Sequence, residues 1–122
     1  MSGINYLADT NCFIYLLDEN PLLLPFASES WAFSYITEIE LLSKKELSSK
    51  DEALIRSMLD TCYKVNHSQV ITELAISLKK SNNVKLPDAI IAASAQLLRL
   101  PLLTADKGFA NIKGIDCIIL EF

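Results

Sequence analysis

The chain has 122 residues, of which 51% are hydrophobic, so it suits one domain with enough apolar material to cover a central sheet on both faces. Its 15 acidic and 11 basic residues give a net charge of −4, which excludes a general electrostatic attraction to nucleic acid. No apolar segment approaches the roughly 18 residues that cross a bilayer, and the N-terminus lacks the pattern of a signal peptide. We therefore expect one soluble, cytoplasmic domain spanning residues 1–122, with no membrane partner.

The three cysteines are odd in number, far apart in the chain and set among apolar residues. This pattern favours reduced thiols in the core over a disulfide framework or a zinc site. We therefore assign no function to Cys12, Cys62 or Cys117.

In the first half of the chain, short apolar runs alternate with segments of helical spacing. The first run ends at Asp9, and the second, rich in aromatic residues, is followed by Thr37 as a candidate helix cap. Asn20 and Pro21 end the first helical segment. We predict strands at residues 4–8, 31–36 and 62–65, and helices at residues 11–18, 38–45 and 51–60.

The second half of the chain continues this alternation. Ser68 is suited to cap a helix that ends with Lys79 and Lys80, where positive charge is favoured. Pro87 suits the first turn of the next helix, whose residues are apolar nearly all round, so we expect that helix to be buried. We predict helices at residues 69–80 and 88–100, strands at residues 101–105 and 117–120, and a turn with a short helix at residues 106–112.

Alternating strands and helices predict an α/β fold, with a mostly parallel central sheet of four to five strands flanked by helices. In such sheets, functional residues are expected just beyond the carboxyl ends of strands. Asp9 and Asp106 follow predicted strands, Asp88 lies in the first turn of the buried helix, and Glu40 lies one turn into the helix after the second strand. We therefore expect these four carboxylates to meet at one edge of the sheet.

A cluster of carboxylates is costly because like charges repel, and a bound cation would neutralise it. Ligands that are all oxygen suit Mg²⁺ or Mn²⁺, and the single histidine, His67, argues against a His-rich zinc site. One or two such ions can activate water for attack on a phosphodiester bond. The sequence therefore predicts metal-dependent phosphodiester hydrolysis without a protein nucleophile.

Each acid also has a local structural interpretation. Thr37 and Glu40 have the spacing of a capping box, and an acid such as Asp88 is favoured near a helix N-terminus by about 0.3–1 kcal/mol. Asp9 and Asp106 suit strand-end turns whose side chains bond to nearby backbone groups. Only the joint placement of the four acids favours a functional site over these alternatives.

Four polar residues lie beside the acids in the sequence. Thr10 and Asn11 are interpreted either as caps of the first helix or as contacts to substrate or water at the metal. Lys85 and Lys107 flank two of the acids, and we interpret them as solvated surface rather than catalytic groups.

Four segments of the chain resemble the motifs of PIN-domain nucleases, and most closely those of the small VapC-type toxin ribonucleases of bacterial toxin–antitoxin pairs. Together they extend over nearly the whole chain. Each motif is weak alone, but four in the expected order and on the expected elements are a strong signal. They are residues 6–11 (YLADTN), 34–42 (SYITEIELL), 86–95 (LPDAIIAASA) and 103–109 (LTADKGF).

The resemblance implies a single three-layer PIN-like domain with Asp9, Glu40 and Asp88 as metal-binding, catalytic carboxylates. It adds Asp106 as a fourth, more variable acid and Thr104 as a hydroxyl near the site. It further implies Mg²⁺- or Mn²⁺-dependent endonucleolytic cleavage of RNA, a homodimer, and inhibition by a small antitoxin that is usually a DNA-binding protein. The chain has SKK at residues 43–45, where many relatives have a glycine, which predicts a longer helix after the second motif.

Two other functions fit parts of the sequence. A strand-end aspartate, the Leu-Thr-Ala segment at residues 103–105 and nearby Lys107 are similar to a phosphoacceptor signalling module of the receiver type. That interpretation lacks its central residue, because the third strand is followed by Asn66 and His67 rather than an aspartate. The other possibility is an inactive PIN scaffold that binds RNA or protein, and the presence of all four acids argues against it.

Overall fold

Five short strands lie in one parallel sheet in the computed structural model, which describes residues 3–121. In chain order the strands are β1 (Tyr6–Ala8), β2 (Trp31–Ser34), β3 (Tyr63–Val65), β4 (Leu102–Thr104) and β5 (Cys117–Ile119). Their order across the sheet is β3-β2-β1-β4-β5. The predicted α/β class, with a parallel sheet of four to five strands, is confirmed.

Helices connect the strands and cover the sheet, which gives the predicted three-layer arrangement. Two short 3₁₀ helices accompany the α-helices, one before α2 (Pro21–Leu23) and one after β4 (Lys107–Asn111). The α-helices are α1 (Thr10–Leu17), α2 (Leu24–Ala27), α3 (Tyr35–Leu42), α4 (Ser49–Asp60), α5 (Gln69–Ser81) and α6 (Leu86–Leu98).

The order of the strands reverses its direction of winding between β1 and β4. The chain starts in the middle of the sheet, adds β2 and β3 on one side, and then returns to add β4 and β5 on the other. Leu7 of β1 is paired with Ala32 of β2 and with Leu102 of β4. Parallel sheets bind ligands where the winding direction reverses, just beyond the carboxyl ends of the strands. Asp9 and Asp106 lie at that position.

One face of the sheet packs against α5 and α6. Leu7 and Leu102 are fully buried there, together with the small side chains Ala89, Ala92 and Ala93 of α6. Small residues let α6 approach both the sheet and α5 closely, and the predicted burial of this helix is confirmed.

The other face carries an aromatic core. Ala8 and Leu103 point to this face, as expected for residues adjacent in sequence to the side chains of the first face. The ring of Phe13 from α1 lies edge-to-face against Trp31, with centroids 5.2 Å apart, and against Phe33, with centroids 5.9 Å apart. Such pairs contribute about 0.5–1.5 kcal/mol each beyond area burial, so they fix α1 on the sheet.

The start of α3 differs from its prediction. β2 ends at Ser34, and α3 begins at Tyr35, because Ser34 is extended and its Oγ accepts a hydrogen bond from the Ile36 backbone N–H at 3.2 Å. Thr37 therefore lies inside the helix, and the predicted capping box between Thr37 and Glu40 is wrong.

Other helix boundaries also shift by a few residues. α1 is capped by Asp9, so Thr10 and Asn11 lie within the helix and the prediction that they cap it is wrong. α3 ends at Leu42, so residues 43–45 do not lengthen it. α6 ends at Leu98 because Arg99 adopts the left-handed conformation, with φ of 56°, which stops the helix.

The three cysteines are free, as predicted: Cys12 is buried, and Cys62 and Cys117 are half-buried. Within residues 3–121, none of the helices combines the length and the hydropathy that crossing a membrane requires.

Candidate active site

Asp9 occupies the step from β1 into α1. Its backbone continues the sheet, since its N–H donates to the Leu103 carbonyl at 2.9 Å, while its extended conformation caps the helix. The side-chain Oδ1 accepts from the Thr10 N–H at 2.7 Å, and Oδ2 accepts from the Thr104 hydroxyl at 2.8 Å. Only 6% of Asp9 is exposed, so both carboxylate oxygens are held in place in a desolvated position.

Thr104 connects the ends of β1 and β4. It is the last residue of β4, is completely buried, and accepts a hydrogen bond from the Asp106 backbone N–H at 3.0 Å while donating to Asp9. Asp106 caps the 3₁₀ helix that follows β4, where its Oδ1 accepts from the Gly108 N–H at 2.8 Å. One hydroxyl thus links the two strand-end acids.

Glu40 lies on α3 and is exposed. The Thr10 hydroxyl donates to its Oε1 at 2.6 Å, a short bond of the kind that carboxylates form with hydroxyls. The same Thr10 oxygen lies 3.0 Å from the hydroxyl oxygen of Thr37. Thr10 therefore takes part in the site through Glu40, whereas Asn11 is exposed on α1 and is not part of these hydrogen bonds.

Asp88 lies in the first turn of α6, directly after Pro87, and is partly buried. Asp88 and Asp106 line one cavity of about 230 Å³, together with Lys85 and Gly108. This cavity lies between the start of α6 and the 3₁₀ helix after β4, and it is where these two acids are open to a ligand.

Burial and mutual repulsion act on two of the carboxylates. The pKa of Asp9 is raised to about 6, mainly by burial and in smaller part by the charges of Asp88 and Asp106, while the hydrogen bonds from Thr104 and Thr10 act to lower it. Burial also raises the pKa of Asp88, and so do the charges of Asp106 and Glu40, while Lys85 lowers it. Negative charge at this edge is therefore incompletely neutralised by the described side chains.

The chemistry of these groups can be tested against the predicted metal. The donors are carboxylate and hydroxyl oxygens, which suit a hard divalent cation, and the repulsion felt by Asp9 and Asp88 is what such a cation would relieve. The spacing is wider than that of an assembled metal centre: within residues 3–121, no three His, Cys, Asp or Glu side chains are grouped as ligands of one ion. The donor set fits Mg²⁺ or Mn²⁺ in type, and binding would have to draw the carboxylates together.

Two residues that contribute to this edge were not predicted from the sequence as site residues. The sequence analysis assigned Thr37 to the N-terminal cap of the helix, but its hydroxyl contacts Thr10. Its position one helical turn before Glu40 could have indicated that the two side chains lie on the same face. Gly108 supplies a backbone N–H to Asp106, and a side chain there would crowd Asp106 Oδ1 at 3.1 Å. A backbone donor of this kind leaves no signal in side-chain chemistry.

An acidic edge at the winding reversal of a small three-layer α/β domain suits a hydrolase that binds a divalent cation. The PIN domain family matches residues 6–115, and the chain belongs to that family. Proteins of this family are typically nucleases that use divalent metal ions. The receiver interpretation is thereby wrong. No curated protein matches the chain significantly in sequence.

Solved structures share the fold over nearly the full length. A toxin–antitoxin complex from Klebsiella pneumoniae contains a chain that is 34% identical, with a TM-score of 0.81 over 96% of this chain and 98% of that one. VapBC2 from Rickettsia felis, bound to a promoter DNA fragment, is 20% identical, with a TM-score of 0.80 over 97% and 100%. VapBC-1 from nontypeable Haemophilus influenzae is 22% identical, with a TM-score of 0.77 over 96% and 98%. The predicted resemblance to VapC-type proteins is confirmed.

Proposed function

We propose that this chain is a metal-dependent endoribonuclease that acts as the toxin of a toxin–antitoxin pair. The observation that carries the proposal is the hydrogen-bonded pair Asp9–Thr104 at the winding reversal of a PIN fold, with the charges of Asp88 and Asp106 acting on it. This pair holds a desolvated carboxylate in a fixed orientation, and no cationic side chain among residues 3–121 forms an ion pair with it. A cation is the partner that such a carboxylate lacks.

Asp9, Glu40, Asp88 and Asp106 would hold the metal. When bound, a divalent ion supplies the positive charge that activates water and stabilises the leaving oxygen of a phosphodiester. The residues of the chain supply the geometry: Thr104 orients Asp9, Thr10 orients Glu40, and Gly108 orients Asp106 through its N–H. Lys85, beside Asp88 in the shared cavity, adds a positive charge that offsets part of the repulsion on RNA phosphates.

RNA as the substrate follows from the resemblance to VapC-type ribonucleases. Because the net charge is −4, the chain has no general attraction for polyanions, so affinity for RNA would depend on the metal and on local cations. The test is incubation of the purified protein with cellular RNA, with Mg²⁺, with Mn²⁺ and after metal chelation. We expect cleavage only with a divalent ion.

The Asp9→Asn variant separates the active nuclease from the inactive scaffold. It keeps the size of the side chain and removes one charge, so it should abolish metal-dependent cleavage, while Asp60→Asn, at the exposed C-terminal end of α4, should cleave like the wild type. Equal cleavage by the Asp9 variant would reject the assignment of the site. Absence of cleavage by the wild type with either ion would favour a scaffold that binds RNA or protein.

The partners are part of the same proposal. The similar chain from Klebsiella pneumoniae belongs to a toxin–antitoxin complex, which supports a cognate antitoxin for this chain. A homodimer is implied by the resemblance and is tested by light scattering of the purified protein. Expression without an antitoxin should stop cell growth, and expression of Asp9→Asn should not. Equal growth of both cultures would argue against the toxin role.

A further inference from the structure

Thr37 is a buried hydroxyl that faces the exposed edge of the site. Its side chain is completely buried in the first turn of α3, and its Oγ lies 3.0 Å from Oγ of Thr10, which belongs to α1. Thr10 in turn donates to Glu40 Oε1 at 2.6 Å. Three side chains from two helices therefore form one chain of hydrogen bonds that ends at a carboxylate.

The direction of these bonds follows from counting hydrogens. A threonine hydroxyl has one hydrogen to donate, and an ionised carboxylate can only accept. Since Thr10 donates its hydrogen to Glu40, its oxygen must accept in the other contact, and Thr37 is the donor there. Every buried side-chain nitrogen and oxygen among residues 3–121 has a hydrogen-bond partner, so Thr37 is satisfied by this contact.

We infer that Thr37 is a positioning residue, which fixes the Thr10 hydroxyl so that its hydrogen points at Glu40. The inference rests on the proposed function, because orientation of Glu40 matters only if this carboxylate acts on the metal. A threonine hydroxyl can rotate to suit its partners. When Thr37 donates to the Thr10 oxygen, the Thr10 hydrogen cannot point toward Thr37 and is directed at Glu40 instead. Hydrogen bonds in such a series also strengthen one another.

The exposure of Glu40 is why it needs this support. An exposed glutamate has three rotatable side-chain bonds and keeps most of its conformational freedom, unlike Asp9, which is enclosed. Thr37 lies one turn before Glu40 on the same helix face, so Thr10 of α1 is clamped between them. This chain of hydrogen bonds connects the exposed Glu40 carboxylate to a buried side chain and so restricts its orientation.

Two substitutions of Thr37 distinguish the effect of its hydroxyl from the effect of its side-chain shape. Thr37→Val keeps the branched shape without the donor, and Thr37→Ser keeps the donor. Ser94→Ala is the matched control, because Ser94 is equally buried and its hydroxyl donates only within α6, to the Ile90 carbonyl at 3.0 Å. Circular dichroism and urea unfolding establish that each variant is folded before it is compared.

The first measurement is the set of three-bond couplings that report the Glu40 side-chain rotamer in the metal-free protein. The wild type and Thr37→Ser should show one dominant rotamer, and Thr37→Val should show averaging. Mn²⁺ affinity by calorimetry and the rate of RNA cleavage should each fall about 10-fold in Thr37→Val, the scale typical of groups that orient metal ligands. Ser94→Ala should leave all three readouts unchanged.

A single Glu40 rotamer and unchanged Mn²⁺ affinity in folded Thr37→Val would overturn the inference. If Thr37→Val does not fold, Thr10→Val removes the middle hydroxyl of the hydrogen-bond chain at a partly exposed position. A single Glu40 rotamer in Thr10→Val would overturn the inference equally. If the wild type cleaves no RNA, the proposed function fails separately. The rotamer and Mn²⁺ measurements then still decide the role of Thr37.

Discussion

The two strand-end acids and the two helix acids reach the same edge by different means. Asp9 and Asp106 each cap a helix that starts directly after a strand, and each accepts a backbone N–H from its own next turn. Glu40 and Asp88 lie within helices, so their positions depend on how α3 and α6 pack on the sheet. Local chain geometry fixes the first pair, and tertiary packing fixes the second.

Burial separates Asp9 from Glu40 but does not separate the two pairs, because Asp106 of the strand-end pair is exposed and Asp88 of the helix pair is partly buried. Asp9 is enclosed and has its pKa raised to about 6, whereas Glu40 is exposed and oriented by one hydroxyl. A buried ionised carboxylate costs stability that an exposed one does not. Asp9 is therefore held rigidly at a cost to stability, whereas the exposed Glu40 carboxylate depends on the Thr10 hydroxyl for its orientation.

The largest expected effect is the loss of RNA cleavage in the variants Asp9→Asn and Glu40→Gln. Both should lower metal-dependent RNA cleavage by more than about 100-fold, since each removes the charge of a proposed metal ligand. Loss of a group that only orients a ligand costs about 10–100-fold. Their stabilities should differ, because only Asp9 is a buried charge. In metal-free protein at pH 7, Asp9→Asn should raise the free energy of unfolding by about 1–3 kcal/mol, and Glu40→Gln should change it by less than about 0.5 kcal/mol.

Urea unfolding followed by circular dichroism measures these free energies, and Asp60→Asn on exposed α4 is the control for replacing a carboxylate. If Asp9→Asn proves less stable than the wild type, the buried carboxylate is not a cost to the fold. The contrast in stability between Asp9 and Glu40 would then be wrong, whatever the cleavage rates.

The pH dependence of stability isolates the same charge. The Asp9 carboxyl has a pKa of about 6 when folded and an ordinary pKa of 3.8, so between these values the folded state keeps a proton that the unfolded state has lost. Stability from this group is therefore present at low pH and is lost as pH rises through about 6, by about 3 kcal/mol in total.

The measurement is the difference in unfolding free energy between the wild type and Asp9→Asn at pH 4, 5, 6 and 7, without metal. Titrating groups that do not interact with Asp9 cancel in this difference, so the advantage of the variant should grow with pH and level off above about pH 7. Added Mg²⁺ or Mn²⁺ should stabilise the wild type most at high pH, where the carboxylate is free to bind. A difference that does not vary with pH would contradict the raised pKa.

Thr104→Val tests whether the strand-end pair is held by one hydroxyl. The substitution removes the donor to Asp9 and the acceptor for the Asp106 N–H, and we expect a loss of about 1.5–3 kcal/mol in unfolding free energy. Thr104→Ser keeps both bonds and should recover most of the loss. Because Asp9 and Thr104 are in contact, the effects of Thr104→Val and Asp9→Asn on the free energy of unfolding should be non-additive by at least about 0.5 kcal/mol in the double variant. Additive effects would contradict the link.

The same contrast explains how much of the site the sequence could predict. The alternation of apolar runs and helical segments predicted the parallel sheet, because both signals are local periodicities. Asp9 and Asp106 could be assigned to strand ends for the same reason. The burial of α6 was predictable from its apolar residues on every side.

The error at α3 shows what local patterns miss. Ser34 and Thr37 both suit a helix cap, and the sequence alone favoured Thr37 because a glutamate follows at the spacing of a capping box. The structure uses Ser34, since pairing with β3 ends there at Val65 and the chain turns at once into the helix. Strand pairing is a tertiary constraint, so this choice was outside the reach of local rules.

The smallest expected effect concerns Gly108, whose backbone orients Asp106. A Cβ at this position would lie 3.1 Å from Asp106 Oδ1, so Gly108→Ala should displace the carboxylate by a few tenths of an ångström. A misplacement of 1 Å costs about 100-fold in rate, so this shift should slow RNA cleavage by about 2–5-fold, with stability changed by less than about 1 kcal/mol. Ala110→Ser, exposed in the same 3₁₀ helix, is the control and should cleave at the wild-type rate.

The cleavage rates of Gly108→Ala and Asp106→Asn together show whether Asp106 acts through its position or only through its charge. If both Asp106→Asn and Gly108→Ala slow cleavage, the strand-end acid acts through its position as well as its charge, as the backbone bond from Gly108 implies. If Asp106→Asn is slow and Gly108→Ala cleaves at the wild-type rate, charge alone matters at this position. Asp106 would then belong with the loosely held acids, and only Asp9 would need the rigid geometry that a strand end provides.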